Sequence, residues 1–371
     1  MHTIMGIITN TKSEEILGEL TQHRCMSAVP FGGRYRLIDF GLSNMVNSGV
    51  RNVGIITSHK YRALIDHMGA GKEWGLDRKS EGLFYLPSIS TGVFRKDTKF
   101  DLKDFYANFD YLEKCKQDYV IISGNNMVCN CNYFKAFQYH LEKKADVTLC
   151  YHEEKHYNPE HKELNFLELD EKGRVISIDK MPNKLGNNKV SMETIIMERK
   201  LLLKIIQAAL SAGNWDLTDL LVENIEDLRI FGYEHQGYLG IITSLSSYYR
   251  HNMDLLDPEI WNELFFGNGP IYTKTKDSPP SKYWNEAEVK NSLVATGCSL
   301  RGKIDHSILF RNVDVAKGVK IKNSIIMQKC SIGENVSLEN VILDKEVVIR
   351  KGTVLKGEAD RPIVISKKTV I

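Results

Sequence analysis

Short uninterrupted apolar runs alternate along the first two thirds of the chain with segments whose apolar residues recur every three or four positions. Residues 3–9, TIMGIIT, form a β-rich apolar run. Ile38, Leu42, Met45 and Val46 then fall at helical spacing, and Gly49 supplies a stop. NVGIITS at 52–58 reads as a second buried strand, and YRALIDHM begins another helix. YVIISG at 119–124 is a third strand, YFKAFQYHLEKK at 133–144 a helix, and DVTLCYH a fourth strand. NFLELDEKGRVISIDK holds two alternating runs joined by Glu171-Lys172-Gly173, which predicts a hairpin. Strands alternating with helices predict a mostly parallel, doubly wound sheet. Ligands of such sheets sit beyond the carboxyl ends of the strands, near the first strand-to-helix loop.

The pattern changes around 267–285, where GNGPIYTKTKDSPPSKYWN is rich in Gly, Pro and polar residues, as a linker would be. Beyond it, Cys298, Val315, Ile332 and Ile349 recur at intervals of 17. So do Ile304, Ile321, Leu338 and Leu355, and so do Leu309, Ile326 and Leu343. Within one turn the steps are six, five and six, which gives three inward columns, one for each face of a triangular β-helix. Nothing in the sequence accounts for the residue by which each turn falls short of three hexapeptides. An antiparallel sandwich is the less regular alternative. The expected organisation is an α/β domain at 1–250, a linker at 251–285 and a β-helix at 286–371.

Composition changes this picture little. At 371 residues the chain is long enough for two cores, and its net charge of +2 carries no long run of one sign. Neither nucleic acid nor a membrane surface is favoured as a partner. No apolar run approaches a membrane span, and the start, MHTIMGIITN, lacks the basic residues of a signal peptide. The seven cysteines form no C-x-x-C pair and read as reduced thiols of a cytoplasmic protein.

The most specific string is AVPFGGRYRLIDFGLSNMVNSGV at 28–50. Just before it, NTKSEEILGELT (Asn10 to Thr21) holds one glycine and no arginine where a phosphate-cradling loop would be expected. Together with PIYTKTKDSPPSKY, NSLVATGCSLRGKIDHSILF and GENVSLENVILDKEVVI, this string resembles the ADP-glucose pyrophosphorylases, or glucose-1-phosphate adenylyltransferases, over nearly the whole chain. The resemblance implies a Rossmann-like nucleotidyltransferase domain followed by a C-terminal left-handed β-helix. It also implies a reaction in which glucose 1-phosphate attacks the α-phosphate of ATP and pyrophosphate leaves. That chemistry needs backbone N–H groups, Lys, Arg and Mg²⁺ on the phosphates, with carboxylates to hold the metal.

The groups implied by the resemblance are missing together. The family's glycine-rich loop aligns with residues 11–17, so its arginine position is Ile16, and Glu14 and Glu15 would repel phosphate. The lysine of the R-A-K-P-A-V-P motif is Met26. The metal aspartate after YVIISG is Asn125, which brings no charge. The second metal aspartate aligns with Ile241, and the lysine of E-K-P aligns with Met181. The pattern resembles the companion, GlgD-type subunit, which assembles with a catalytic GlgC-type subunit. A non-catalytic or nearly inactive regulatory chain in a heterotetramer is therefore expected, with no metal or cofactor of its own and Mg²⁺ in the catalytic partner. In the family, basic residues of the loop before A-V-P and of G-G-x-x-R line a site for phosphorylated effectors; Arg24 and Arg36 match those positions, His23 stands where the family often has lysine, and pairing with carboxylates at the subunit contact is the alternative role for these arginines. Ser191 aligns with a serine that meets the sugar and would mark a residual sugar-phosphate pocket.

Other constellations weigh less. HEEKH (His152 to His156) matches the zinc-protease signature but follows a strand, with His161 and Glu163 as third ligands on paper only. GAGKE at 69–73 lacks the earlier glycine and the Ser or Thr of a P-loop. Cys129 and Cys131 lack a second pair and read as buried thiols. Competing functions are an active adenylyltransferase, a stand-alone sugar-phosphate sensor, and a hexapeptide acyltransferase using His306.

Overall fold

The first apolar run lies inside a nine-stranded sheet. Its strands are β1 (Ile4–Thr9), β2 (Asn52–Thr57), β3 (Gly82–Pro87), β4 (Tyr119–Gly124), β5 (Val147–Glu153), β6 (Phe166–Leu169), β7 (Val175–Asp179), β8 (Lys189–Glu198) and β9 (Ile230–Glu234). The order is β7-β6-β8-β4-β1-β2-β3, with β5 pairing β8 and β9. β1 is parallel to β2 and β4, and every residue of β4 is buried, as an uninterrupted apolar run in a two-sided core requires. β8 runs antiparallel to β4 and β5, so the sheet is mixed. β6 and β7 form the expected hairpin, and Gly173 takes φ 82° in its turn.

The computed structural model describes residues 3–9, 14–57, 60–89, 100–154, 161, 164–180 and 188–371. The chain forms two compact units. The first, residues 1–13, 40–239 and 266–272, holds the sheet. Its core includes Met5, Ile7, Val120, Ile122, Leu149, Ile195, Leu202 and Ile206.

The second unit joins residues 14–39 and 240–265 to 273–371, so it is more than the β-helix expected at 286–371. The segment expected as a linker at 251–285 carries helix Pro258–Phe266, whose Leu264 and Phe265 are buried, before residues 267–281, which have neither helix nor strand. Three five-stranded parallel sheets then build a left-handed β-helix.

Two of the three inward columns run as the spacing predicts: Ile304, Ile321, Leu338, Leu355, and Leu309, Ile326, Leu343. The third begins differently. Val315 pairs with Leu300, not Cys298, because the coil from Leu300 to Val315 is shorter than the one before it, in which Tyr283 pairs with Leu300; Cys298 is buried beside that column.

The five-residue step always crosses one corner, at His306, Asn323 and Asn340, with φ of 46°, 46° and 53°. As at the six-residue corner of Asn312, Lys329 and Glu346, a single left-handed residue turns the chain there. A buried serine ladder stitches the same corner. The N–H of Ser307 donates to Ser292 Oγ (3.1 Å), that of Ser324 to Ser307 Oγ (3.1 Å) and that of Val341 to Ser324 Oγ (3.2 Å). Ser307 and Ser324 donate in turn to the carbonyls of Asp305 and Lys322.

One face of the helix is apolar outside as well as inside. Ile308, Ile325 and Ile342 stack in register, point away from the inward column and are fully buried. Segments of the same unit lie against that face: Gly33 approaches Ile308, and Tyr249 donates to the carbonyl of Asn323 at 2.6 Å. Gly32 and Gly33, at φ 56° and 81°, turn the hairpin between Pro30–Phe31 and Tyr35–Arg36. A Cβ on Gly32 would lie 2.8 Å from Leu255. Within this unit the GGRYR string is thus a packing device.

Candidate functional site

In the first unit the carboxyl end of β4 carries Ser123, Asn125 and Asn126, all buried. Ser123 Oγ lies 3.3 Å from the Tyr133 hydroxyl. Asn125 supplies an amide where a metal would need a carboxylate. Ser191 stands on β8, where a bulge interrupts the pairing with β5. Its hydroxyl accepts the N–H of Glu193 at 3.3 Å. Both line a cavity of about 10 Å³ with Asn165 and Thr218, room for one water and not for a hexose. Glu193 is 3% exposed and takes φ 49°, a conformation uncommon for a residue other than glycine. Sequence reading passed over it, since only the backbone angle sets it apart. Met181 lies outside the described residues.

The other positions implied by the resemblance belong to the second unit. Where the glycine-rich loop would end, Glu14–Thr21 is a helical segment whose Leu17 and Leu20 are fully buried; Ile16 is half-buried, and residues 11–13 lie outside the described residues. Leu17 and Leu20, three apart, carried this signal in the sequence. Met26 is buried in the short turn Met26–Ala28, and Ile241 is buried at the end of strand Leu239–Ile241. Neither Asn125 nor Ile241 brings the carboxylate that holds a divalent metal. Among the described residues no group of three or more His, Cys, Asp or Glu could hold one.

The second unit also gathers cations. Arg24 makes a two-pronged contact with Asp344, both N–O distances 2.9 Å. The carboxylate that Arg24 meets belongs to the same chain, not to a subunit contact. Burial, and then Arg36 and Arg24, push Lys345 down to about 6, an effect that Asp344 only partly opposes. Burial and the nearby Arg36 and Arg311 lower Lys276 as well. Burial and Arg34 lower Arg311. Cations that depress one another form a site short of negative charge. His23 is exposed. Asp344, Lys345, Lys276 and Arg311 escaped sequence reading because they lie some 240 to 320 positions from the GGRYR string; the motif LDKEV was visible, but its neighbours were not.

The remaining constellations do not assemble as their motifs would need. His152 lies on β5, not on a helix, and Nδ1 meets the carbonyl of His235 at 3.0 Å; His156 and Glu163 lie outside the described residues. His161 Nδ1 lies 2.9 Å from Glu154. The GAGKE stretch leads into a single turn, Lys72–Trp74, with Gly69 and Gly71 at positive φ. Cys129 and Cys131 are buried, and burial pushes the Cys129 thiol up to about 12. His306 occupies a left-handed corner of the β-helix. No described helix is long and apolar enough to cross a membrane.

Comparison with known proteins agrees with both parts of the fold. A family model described as "Nucleotidyl transferase" matches residues 15–257, and one described as "GlmU-like, C-terminal hexapeptide" matches residues 279–362. The chain is 39% identical to the "Glycogen biosynthesis protein GlgD" of Bacillus subtilis, over 99% of this chain and 96% of that one. It is 38% identical to the protein of the same name in Geobacillus stearothermophilus, over 99% and 97%. It is 32% identical to the "Glucose-1-phosphate adenylyltransferase" of Bacillus cereus, over 92% of each. The chain belongs to the glucose-1-phosphate adenylyltransferase family of nucleotidyl transferases, among its GlgD-type members.

Proposed function

We propose that this chain is a non-catalytic or weakly active regulatory subunit of a glucose-1-phosphate adenylyltransferase and serves glycogen synthesis in the cytoplasm. The observation that carries the reading is the pair Asn125 and Ile241, both buried, at the positions where the family's metal carboxylates would stand. Without them, no residue pair at those positions neutralises the charge that develops on phosphates during adenylyl transfer. Met26 and Ile16 remove cationic and backbone help at the same time, and loss of a single such donor already costs about 3 kcal/mol of transition-state stabilisation. The catalytic partner supplies Mg²⁺ and the active site, in a heterotetramer. This chain biases the partner's conformational balance through their shared interface.

Regulation by a phosphorylated metabolite fits the second unit. Arg36, Lys276 and Arg311 present positive charge that a phosphate ester needs, and Lys345 adds to it when a bound dianion restores its proton. Arg24, committed to Asp344, holds the wall of this site and His23 contributes from the exposed side of its segment.

Assembly is tested by mixing the purified chain with the adenylyltransferase of the same source and measuring mass by light scattering after size exclusion. A joint species containing both chains is expected. Separate elution at all ratios, with an unaltered effector response of the enzyme, contradicts the reading.

A further inference from the structure

A second cavity lies in the first unit, on the side of the sheet edge formed by β9 and β5. It is open to solvent and has a volume of about 520 Å³, within the roughly 300–1,000 Å³ of ordinary small-molecule sites. Its wall is aromatic and polar at once. Tyr139 comes from helix Tyr133–Glu142, Tyr151 from β5 and Tyr233 from β9. The rings of Tyr139 and Tyr233 stand 5.6 Å apart at 58° and are both partly exposed.

Three observations describe the chemistry of this groove. First, no described residue hydrogen-bonds the hydroxyls of Tyr139, Tyr151 or Tyr233, although all three line it. Phenol hydroxyls in partly buried settings ordinarily find a partner. Burial pushes Tyr151 and Tyr233 up to about 12, so both remain protonated and can donate as well as accept. Second, the remaining polar lining is amide-rich and carries little net charge: Asn132, Gln236 and Asn268, with Lys135, Glu234, His235 and Cys131. A phosphate would meet no cluster of positive charge here. Third, two glycines set the tyrosines in place. A Cβ on Gly173 would lie 2.8 Å from the Tyr139 hydroxyl, and one on Gly232 would lie 3.0 Å from the ring of Tyr151. Lys143 Nζ, 5.5 Å from the Tyr139 ring and bonded to the carbonyl of Lys172 at 2.9 Å, braces the same side chain.

We propose that this groove binds a neutral carbohydrate, namely a short segment of a glucan chain. A pyranose ring offers apolar C–H faces to the Tyr139 and Tyr233 rings, while its hydroxyls both donate and accept, as the three phenols do. Nothing in the lining calls for a charged ligand. The choice of a carbohydrate stands on the groove alone; the choice of a glucan among carbohydrates rests on the proposed role in glycogen synthesis. The chain would then carry a contact to the polymer whose precursor its partner makes.

The experiment is titration calorimetry on the full chain alone, with maltotriose, cellotriose and adenosine as probes. Saturable binding of maltotriose is expected. Tyr139→Phe and Tyr233→Phe keep the rings, and each should weaken binding about three- to tenfold through loss of one hydrogen bond. Tyr283→Phe, at an exposed tyrosine of the β-helix, should change nothing. Equal binding of cellotriose would overturn the glucan assignment and leave the carbohydrate site standing. Absence of saturable maltotriose and cellotriose binding at millimolar concentration, or preference for adenosine, would overturn the site. Because no partner enzyme is present, neither result depends on whether the chain assembles with or regulates an adenylyltransferase.

Discussion

Arg24 and Asp344, separated by 320 residues, meet through two N–O contacts of 2.9 Å with their side chains only 3% and 1% exposed. The pair fastens the segment before the AVP string to the β-helix within the second unit. A buried ion pair of this geometry contributes little compared with apolar replacement, but losing one partner strands the other charge. Asp344→Ala should therefore cost about 3–5 kcal/mol in denaturant unfolding. The double variant Arg24→Met, Asp344→Leu should recover most of that loss. A double variant as unstable as the single one would show that the pair is not the cause.

Lys345 sets a pH dependence. Its value of about 6, against an ordinary 10.5, follows from burial and from Arg36 and Arg24. Folding releases its proton between these limits. The penalty from the buried charge is thus full below pH 6 and relieved as pH rises toward 10.5. A bound dianion restores the proton, so anion affinity should fall as pH rises above 6, by up to about tenfold per unit. Sulfate, dianionic throughout, is the clean probe. Its affinity should be clearly lower at pH 9 than at pH 6.5 for the native chain. Lys345→Arg, which stays charged, should flatten the profile; an equally steep profile in that variant would assign the dependence elsewhere.

The serine ladder stitches the five-residue corner of the β-helix and can be cut one rung at a time. Ser324→Ala leaves the buried N–H of Val341 without the acceptor now at 3.2 Å and removes one of two donors to the carbonyl of Lys322, which keeps the N–H of Asn340. A cost of about 1–3 kcal/mol is expected from that unsatisfied group, measured by denaturant unfolding. Thr353→Ala, at an exposed hydroxyl of the same helix, should change stability far less.

Restoring one carboxylate should not restore catalysis. Asn125→Asp is expected to give no measurable ADP-glucose synthesis, because Ile241 and Met26 remain buried apolar side chains. Turnover in this single variant would mean that the rest of the site is competent.

The sheet was legible because its central strands are continuous apolar runs, and the hairpin because Gly173 interrupts an alternating pattern. The β-helix was legible from its inward columns, except at Cys298, where the short coil from Leu300 to Val315 shifts the register and spacing alone favours the wrong partner. The outer column Ile308, Ile325, Ile342 was present as doubled apolar residues, a mark of a strand covered on both sides. Residue types at Ile16, Met26, Asn125 and Ile241 were readable directly. The bond between Arg24 and Asp344, the left-handed Glu193 and the three tyrosines of the groove were not, since each depends on tertiary proximity or on a backbone angle that no local pattern encodes.

The central claim is that this chain regulates and does not catalyse. Its most direct test is ADP-glucose formation from ATP and glucose 1-phosphate, measured for this chain alone, for the adenylyltransferase of the same source alone, and for the two mixed. Negligible turnover by this chain alone and a changed rate or effector response in the mixture are predicted. Robust turnover by this chain alone would contradict the account.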